Sequence, residues 1–300
     1  MQLPDGFVRN VTHVLGARGR AWLDALPDLL AACERDYGLT IGEPFELSYN
    51  YVAPVTRADG SEAVLKLSPH GQDFRHELTA TRHFNGRGMA RLLEADEQRG
   101  VALLERLRPG AMLVELDAGD DRQTEIAADL MRELRREPPP DHGLPTTQDW
   151  FVAFEKHRVQ HGGAGPLPRA VFERGEATYR QLLESSPAPA LLHGDLHHYN
   201  ILSAQRAPWL AIDPHGLVGD PVFETGAFFG NPSHLLERPN PERTLERRTH
   251  ILAERLGFDR QRVIAWGIAY QTLSAVWSAE NAGTKWGRAV RVAEMLASMD

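Results

Sequence analysis

One stretch constrains the fold more than any other: Leu191-Leu192-His193-Gly194-Asp195-Leu196-His197-His198-Tyr199-Asn200-Ile201-Leu202, continued by Leu210-Ala211-Ile212-Asp213-Pro214. The short apolar runs Ile201-Leu202 and Trp209-Leu210-Ala211-Ile212 predict a β-hairpin with polar groups at its edges. Such a hairpin lets Asp195, Asn200 and Asp213 converge on one point. Phosphoryl transfer from a nucleotide needs that combination: one carboxylate to accept an alcohol's proton, and an amide oxygen with a second carboxylate to hold Mg²⁺ on the phosphates. Asp195 is therefore the candidate base, and Asn200 and Asp213 are the candidate Mg²⁺ ligands, hard oxygen donors being what that ion requires. His193 is expected to hold the loop, while His197, His198 and His215 carry no assigned role.

The spacing is similar to the kinase loop H-R-D-x-x-x-x-N followed by the Asp of D-F-G, which here reads His193-Gly194-Asp195, Asn200 and Asp213. Glycine in place of arginine resembles the aminoglycoside phosphotransferase branch of the kinase-like fold. The strings HGDLHHYNIL and IDPHGLVGDPVFE resemble the subfamily of streptomycin 6-phosphotransferases and hydroxyurea phosphotransferases, and the resemblance extends from about Trp22 to Trp277. It implies an α+β, bilobal protein-kinase-like fold. A small N-terminal lobe with a five-stranded antiparallel sheet would occupy residues 1–106, and a larger, mainly helical lobe residues 107–300. ATP or GTP would lie between the lobes with Mg²⁺. The implied acceptor is an aminoglycoside such as streptomycin, inactivated by phosphorylation of a ring hydroxyl, as in antibiotic resistance. The alternative on the same scaffold is a kinase of a sugar, cyclitol or amino alcohol, because fold-level similarity does not fix a substrate.

Composition narrows the class. Three hundred residues, 42% hydrophobic and 25% charged, suffice for a substantial core in one large or two medium units. No apolar run approaches membrane-spanning length, and no basic stretch followed by an apolar one opens the chain, so a cytoplasmic protein is expected. Cys33 is the single cysteine, which excludes an intramolecular disulfide and a cysteine metal cluster. A net charge of -8 argues against nucleic acid and anionic membranes as partners and leaves a small-molecule alcohol, with no obligate protein partner evident.

Toward the N-terminus, residues 1–16 show no clear pattern, whereas Trp22, Leu26, Leu29, Leu30 and Cys33 fall at helical spacing before Gly38. Phe45–Val52 and Glu62–Leu67, with Asp59-Gly60 between them, predict a hairpin. In the kinase scheme the first turn covers the phosphates. Its glycine-rich sequence is missing here, so Ser48, with Tyr49 and Asn50, would serve instead. Lys66 is informative because only three of 33 basic residues are lysines, and a compact point charge inside Val64-Leu65-Lys66-Leu67 was selected over arginine. It would hold the α- and β-phosphates and pair with Glu77 on a helix from about Gln72 to Phe84, Asp73 being the competitor. Strands over 90–94 and 101–105 complete the lobe, and main-chain groups near Glu105 and Leu107 would hold the adenine.

Beyond the hinge, Ile126, Leu130 and Leu134 mark a helix stopped by Pro138-Pro139-Pro140, and two more span 148–161 and 167–183. Gly219-Asp220-Pro221 opens a further helix whose first turn carries Asp220 and Glu224. Both are candidates for the acceptor side, and Asp220 also for bracing the catalytic loop. Helices over 241–256, 260–279 and 285–298 finish the chain. In the resembled family they wall the acceptor pocket, which makes Trp277, Glu280 and Asn281 candidate contacts, although Trp266, Tyr270, Leu273 and Trp277 also form an ordinary apolar face. Two other classes fit parts of the pattern. The clustered histidines suit a dinuclear metallohydrolase, but in the wrong order, and a nucleotide-binding pseudokinase would need the base or a ligand to be missing.

Overall fold

A computed structural model describes residues 3–69, 71–280 and 286–299. The chain separates into two compact units, one of residues 1–86 and 90–107, the other of residues 87–89 and 108–300. The short excursion of 87–89 into the second unit is a feature that a single cut at 106/107 does not contain.

The first unit begins with helix α1 (Asp5–Tyr37), which the sequence pattern places only from Ala17 onward. Gly16, at φ 58°, breaks the helical path. Beyond it Gly19 comes so close to the first arm that a Cβ would stand 2.5 Å from the Val11 carbonyl. The short first arm buries Phe7 and Val11, and the Phe7 ring meets Trp22 edge-on at 6.1 Å. Its pattern escapes a periodicity reading because two anchors on two to three turns are too few to define a face.

Strands β1 (Leu39–Ile41), β2 (Tyr51–Arg57), β3 (Glu62–Leu67), β4 (Leu92–Asp96) and β5 (Val101–Glu105) form an antiparallel sheet in the order β1-β2-β3-β5-β4. The hairpin turns at Asp59-Gly60 as expected, but its first strand is Tyr51–Arg57 rather than Phe45–Val52, and Ser48–Asn50 form a bend. Alternation decides the difference: Tyr51, Ala53 and Val55 are buried in turn and join the α1 residues Leu26, Leu30 and Cys33 in one core. Burial there pushes the Cys33 thiol up to about 11, so it behaves as a small apolar residue. On β3, Ala63, Leu65 and Leu67 belong to that same core. Lys66 therefore points to the opposite face, beside its register partner Ala102, where helix α2 (Gln72–Phe84) packs Phe74 and Leu78.

The second unit contains, in order, β6 (Pro109–Met112), α3 (Gly119–Leu134), α4 (Thr147–His161), α5 (Arg169–Glu184), β7 (Ala190–Leu192), β8 (Ile201–Ala204), β9 (Trp209–Ala211), β10 (Leu217–Gly219), α6 (Gly226–Phe229), α7 (Pro241–Leu256), α8 (Arg260–Glu280) and α9 (Trp286–Ala297). The hairpin of the central stretch is β8–β9, with Ile201 opposite Ala211 and Leu202 opposite Leu210. A second ladder, β7–β10, pairs Leu192 with Leu217 and Leu191 with Val218. These two ladders hold both ends of the segments 193–200 and 212–216. The helix expected to open at Gly219 is a 3₁₀ turn over Pro221–Thr225 that runs into α6, with Asp220 capping the Val222 amide at 2.9 Å. Helix α8 is buried along most of its length, including Trp266, Ala269, Tyr270 and Leu273, and packs against α5, α6 and α9. Among the described residues, no helix is long and apolar enough to cross a membrane.

Candidate active site

The segment between β7 and β8 is fixed from beneath by His193. Its ring is fully buried, and Nε2 lies 2.8 Å from the Ile212 carbonyl oxygen while Nδ1 accepts from the Asp195 amide at 3.3 Å. A carbonyl on one nitrogen and an N–H on the other fix the neutral tautomer with its proton on Nε2. Burial pushes the His193 pKa down to about 4, so the imidazole stays neutral. The Glu224 carboxylate accepts from the His193 amide at 2.7 Å and the Gly194 amide at 3.1 Å. Burial raises its pKa to about 7 although those amides favour the charged form.

Gly194 has φ 87°, and a Cβ there would meet His215, Leu217 and Trp150 at 3.3–3.5 Å. That conformation, which L side chains rarely adopt, turns the chain so that Asp195 follows at the surface of the loop. The Asp195 side chain is 31% exposed. Its Oδ1 accepts from the Tyr270 hydroxyl at 3.2 Å, and its Oδ2 lies 3.4 Å from His197 Nε2 and 3.8 Å from His215 Nε2. Burial pushes the carboxyl upward, but His197, His215 and His193 outweigh it and hold the pKa below the ordinary value. Asp195 is ionised at neutral pH.

Asn200 donates from Nδ2 to the Asp195 carbonyl at 3.0 Å, which leaves its amide oxygen as the atom suited to a cation. The Asn200 carbonyl accepts from the Ile212 amide at 3.0 Å. Ile212 is thus held at both its N–H and its carbonyl by the loop, and Asp213 follows it at φ 58° with an exposed side chain. Aspartate is one of the few residue types that enter the left-handed region, and such positions concentrate at functional sites. Two hard oxygen donors on adjoining segments fit Mg²⁺, an ion that keeps waters and phosphate oxygens as its other ligands. Among the described residues, no group of three His, Cys, Asp or Glu side chains is able to hold a metal, so a dinuclear hydrolase centre finds no support. His193 has both ring nitrogens engaged inside the loop, and His198 stacks on Phe228 at 4.0 Å in the interior.

Two residues expected on the acceptor side are instead part of the interior. Asp220, 1% exposed, accepts from Arg262 Nε at 2.8 Å and from the Trp266 indole at 2.7 Å. Glu224, 7% exposed, has both oxygens on loop amides. A buried carboxylate needs such partners to offset its desolvation, and here they come from the fold itself: Glu224 braces the loop, and Asp220 ties the 3₁₀ turn to α8. Trp277 is half-buried and meets Trp150 edge-on at 5.0 Å, and Trp150 in turn meets His215 at 5.7 Å. This aromatic series leads back to the Asp195 carboxylate through His215. Glu280 is exposed at the end of α8, and Asn281 lies outside the described residues. The sequence pattern offers no role for Trp150 and reads Tyr270 only as part of an apolar face. Trp150 has only the capping box before it, Thr146 with Asp149, as a signal, and Tyr270 is camouflaged in an apolar stripe.

In the first unit, Lys66 Nζ lies 2.6 Å from Glu77 Oε1, and the lysine side chain is 3% exposed. The alternation of β3 places the lysine beneath α2, and Glu77 follows Phe74 by nearly one helical turn, so the pair forms at the same face as Phe74 and Leu78. Ser48 is exposed, its carbonyl accepting from Asn10 at 3.2 Å. Glu105 pairs with Ala63 in the sheet and exchanges bonds with Arg91: its amide donates to the Arg91 carbonyl at 2.8 Å, and its Oε2 accepts from the Arg91 amide at 3.0 Å. Leu107 is buried at the end of the unit.

Comparison with known proteins identifies its relatives. The family model described as aminoglycoside/hydroxyurea antibiotic resistance kinase matches residues 40–282. A streptomycin 6-kinase of Streptomyces griseus is 34% identical over 99% of this chain and 97% of its own length. A hydroxyurea phosphotransferase of Kitasatospora aureofaciens is 33% identical over 99% of this chain and 86% of its own length. Among solved structures, a choline kinase from Streptococcus pneumoniae superposes with a TM-score of 0.62 at 14% identity, covering 92% of this chain and 99% of that one. A thermostable aminoglycoside phosphotransferase mutant in complex with ADP and hygromycin B gives 0.62 at 16% identity, covering 88% and 97%. The remote structures establish the kinase-like fold. The family match and the close relatives go further: the chain belongs to the aminoglycoside/hydroxyurea antibiotic resistance kinases.

Proposed function

We propose that this kinase transfers the γ-phosphoryl group of ATP to a hydroxyl of an aminoglycoside such as streptomycin and thereby inactivates it, in the cytoplasm where the nucleotide is available. The observation that carries the chemistry is the Asp195 carboxylate, ionised, partly exposed, and tied through Asn200 and Ile212 to the segment that bears Asp213. Asp195 orients the acceptor hydroxyl. A carboxylate of low pKa is a weak base, which suits a transfer in which the oxygen–phosphorus bond forms late and the proton leaves with it. Asn200, through its amide oxygen, and Asp213 would hold Mg²⁺, which when bound neutralises charge on the phosphate oxygens. Lys66, held by Glu77, takes the α- and β-phosphates, with the bend at Ser48 over them and main-chain groups at Glu105 and Leu107 at the base. Trp277 and Trp150 supply an aromatic wall for the acceptor next to His215.

The test is Mg²⁺-dependent nucleotide turnover across streptomycin, other aminoglycosides, hydroxyurea, cyclitols, sugars and amino alcohols, beside an Asp195→Ala control. Streptomycin-dependent turnover that falls by about a thousandfold or more in the control is the expected result. Turnover with another alcohol alone would discard the antibiotic, and a control as fast as the parent would discard Asp195 as the base.

A further inference from the structure

Helix α8 reads as an apolar core helix, yet one of its polar atoms is aimed at Asp195 and others at the turn that follows β10. Arg262 and Trp266 reach Asp220, Tyr270 reaches Asp195 Oδ1 at 3.2 Å, and the next residue, Gln271, donates to the Gly226 carbonyl at 2.8 Å. Arg262, Trp266 and Tyr270 are spaced i, i+4, i+8, one stripe of one helix. The phenol of Tyr270 is buried among Phe223, whose ring lies 5.3 Å away, and Gly226. At Gly226 a Cβ would stand 2.5 Å from the tyrosine Cβ and ring, so the absence of a side chain there is what admits the phenol to this position.

We propose that Tyr270 is a positioning residue for the phosphoryl transfer: its hydroxyl holds Oδ1 of Asp195 and so presents Oδ2, on the side of His197 and His215, to the acceptor hydroxyl. The inference rests on the reading of Asp195 as the base. A carboxylate on a single Cβ–Cγ bond rotates easily, and about 20° of misdirection separates a productive contact from an unproductive one. One oxygen anchored by a donor on a rigid helix removes that freedom. In the step itself the acceptor O–H bond breaks as Oδ2–H forms. The acceptor oxygen bonds to the γ-phosphorus as the bond from that phosphorus to the bridging oxygen breaks, and the nucleoside diphosphate leaves with the electron pair.

The experiment compares the parent, Tyr270→Phe, Asp195→Asn and the double variant with the acceptor found above, assayed well below every melting temperature. Tyr270→Phe keeps the ring and removes only the hydroxyl. Its kcat is expected to fall about tenfold, with KM for nucleotide and acceptor within about twofold. The double variant is expected to be no slower than Asp195→Asn alone, because the carboxylate at 3.2 Å is the phenol's nearer acceptor, the Gly194 carbonyl lying at 3.5 Å. Gly226→Ala, which displaces the ring while keeping the hydroxyl, should lower kcat in the same way. If Asp195→Asn is inactive and Tyr270→Phe turns over like the parent, or if the losses multiply in the double variant, the positioning role is overturned and the base survives. If Asp195→Asn is as fast as the parent, the reading of the base fails first.

Discussion

Two buried ionisable residues, His193 and Glu224, hold the loop that carries Asp195, and their environments push them in opposite directions. His193 falls from an ordinary 6.5 to about 4 in the folded protein, so between these values the unfolded chain binds more protons and stability rises with pH. Glu224 rises from 4.5 to about 7, so there the folded protein binds more protons and stability falls as pH rises. Each effect is worth about 3 kcal/mol across its window, because every tenfold change in proton affinity corresponds to roughly 1.4 kcal/mol. In the shared range these two contributions nearly offset each other, while His198 and His76, whose pKa values burial also lowers, leave the parent gaining stability as pH rises. Urea unfolding at several pH values checks this. Relative to His193→Gln the parent should gain stability from about pH 4 to 6.5, and relative to Glu224→Gln it should lose stability from about pH 4.5 to 7. Parallel curves for parent and variants would overturn the assignment.

At the scale of elements, the loop is also clamped from the side of α3 and α7. Arg248 on α7 is fully buried and makes a two-pronged contact with Asp120 on α3, Nε to Oδ2 at 2.9 Å and a second nitrogen to Oδ1 at 2.6 Å. Arg238 shares the same carboxylate, and Arg248 lies over the Phe228 ring on which His198 of the loop is stacked. Burial lowers the Arg248 pKa, and Asp120 counters it by favouring the charged form. Removing one partner of a buried pair leaves an uncompensated charge, so Asp120→Ala should cost about 3–5 kcal/mol. The exposed pair Arg57–Glu94, at 2.7 Å, should cost under about 1 kcal/mol when Glu94 becomes alanine, and chemical denaturation of the two variants makes the comparison. Equal losses would mean that Arg248 draws its stability from its contacts with the carbonyls of Phe228 and Asn231 rather than from the carboxylate.

For the molecule as a whole, the roles proposed for Lys66 and Asp195 belong to residues of different compact units, and the kinetic constants should separate their contributions. Lys66→Met removes a charge assigned to nucleotide binding and leaves Glu77 without its lysine at the α2 face. It should raise KM for nucleotide about tenfold or more and lower kcat as well. Asp195→Ala should lower kcat with little change in that KM. Steady-state kinetics on both variants distinguishes the roles, and an unchanged nucleotide KM in Lys66→Met would remove the lysine from the phosphate site.

The sequence by itself determined which residues are candidates for the chemistry. Spacing alone selects Asp195, Asn200 and Asp213, because segments joined by a tight hairpin have few places to go. The rarity of lysine selects Lys66, and helical spacing offers it Glu77. Most helix boundaries of the second unit follow from apolar periodicity in the same way. Tertiary structure decided what depends on partners distant in the chain. Whether Asp220 and Glu224 face an acceptor or the interior is settled by Arg262, Trp266 and two loop amides, none of them adjacent in sequence. The first arm of α1 is held by packing at Trp22 and Gly19 rather than by its own pattern. Tyr270 is the clearest case. In a stripe of aromatic residues a phenol reads as core, and only the notch at Gly226 and a carboxylate 75 residues away give its hydroxyl a direction. Local pattern reports which groups a segment carries, whereas the direction of a buried polar atom is set by whichever partner the fold brings to it, since burial without a partner costs more than the contact yields.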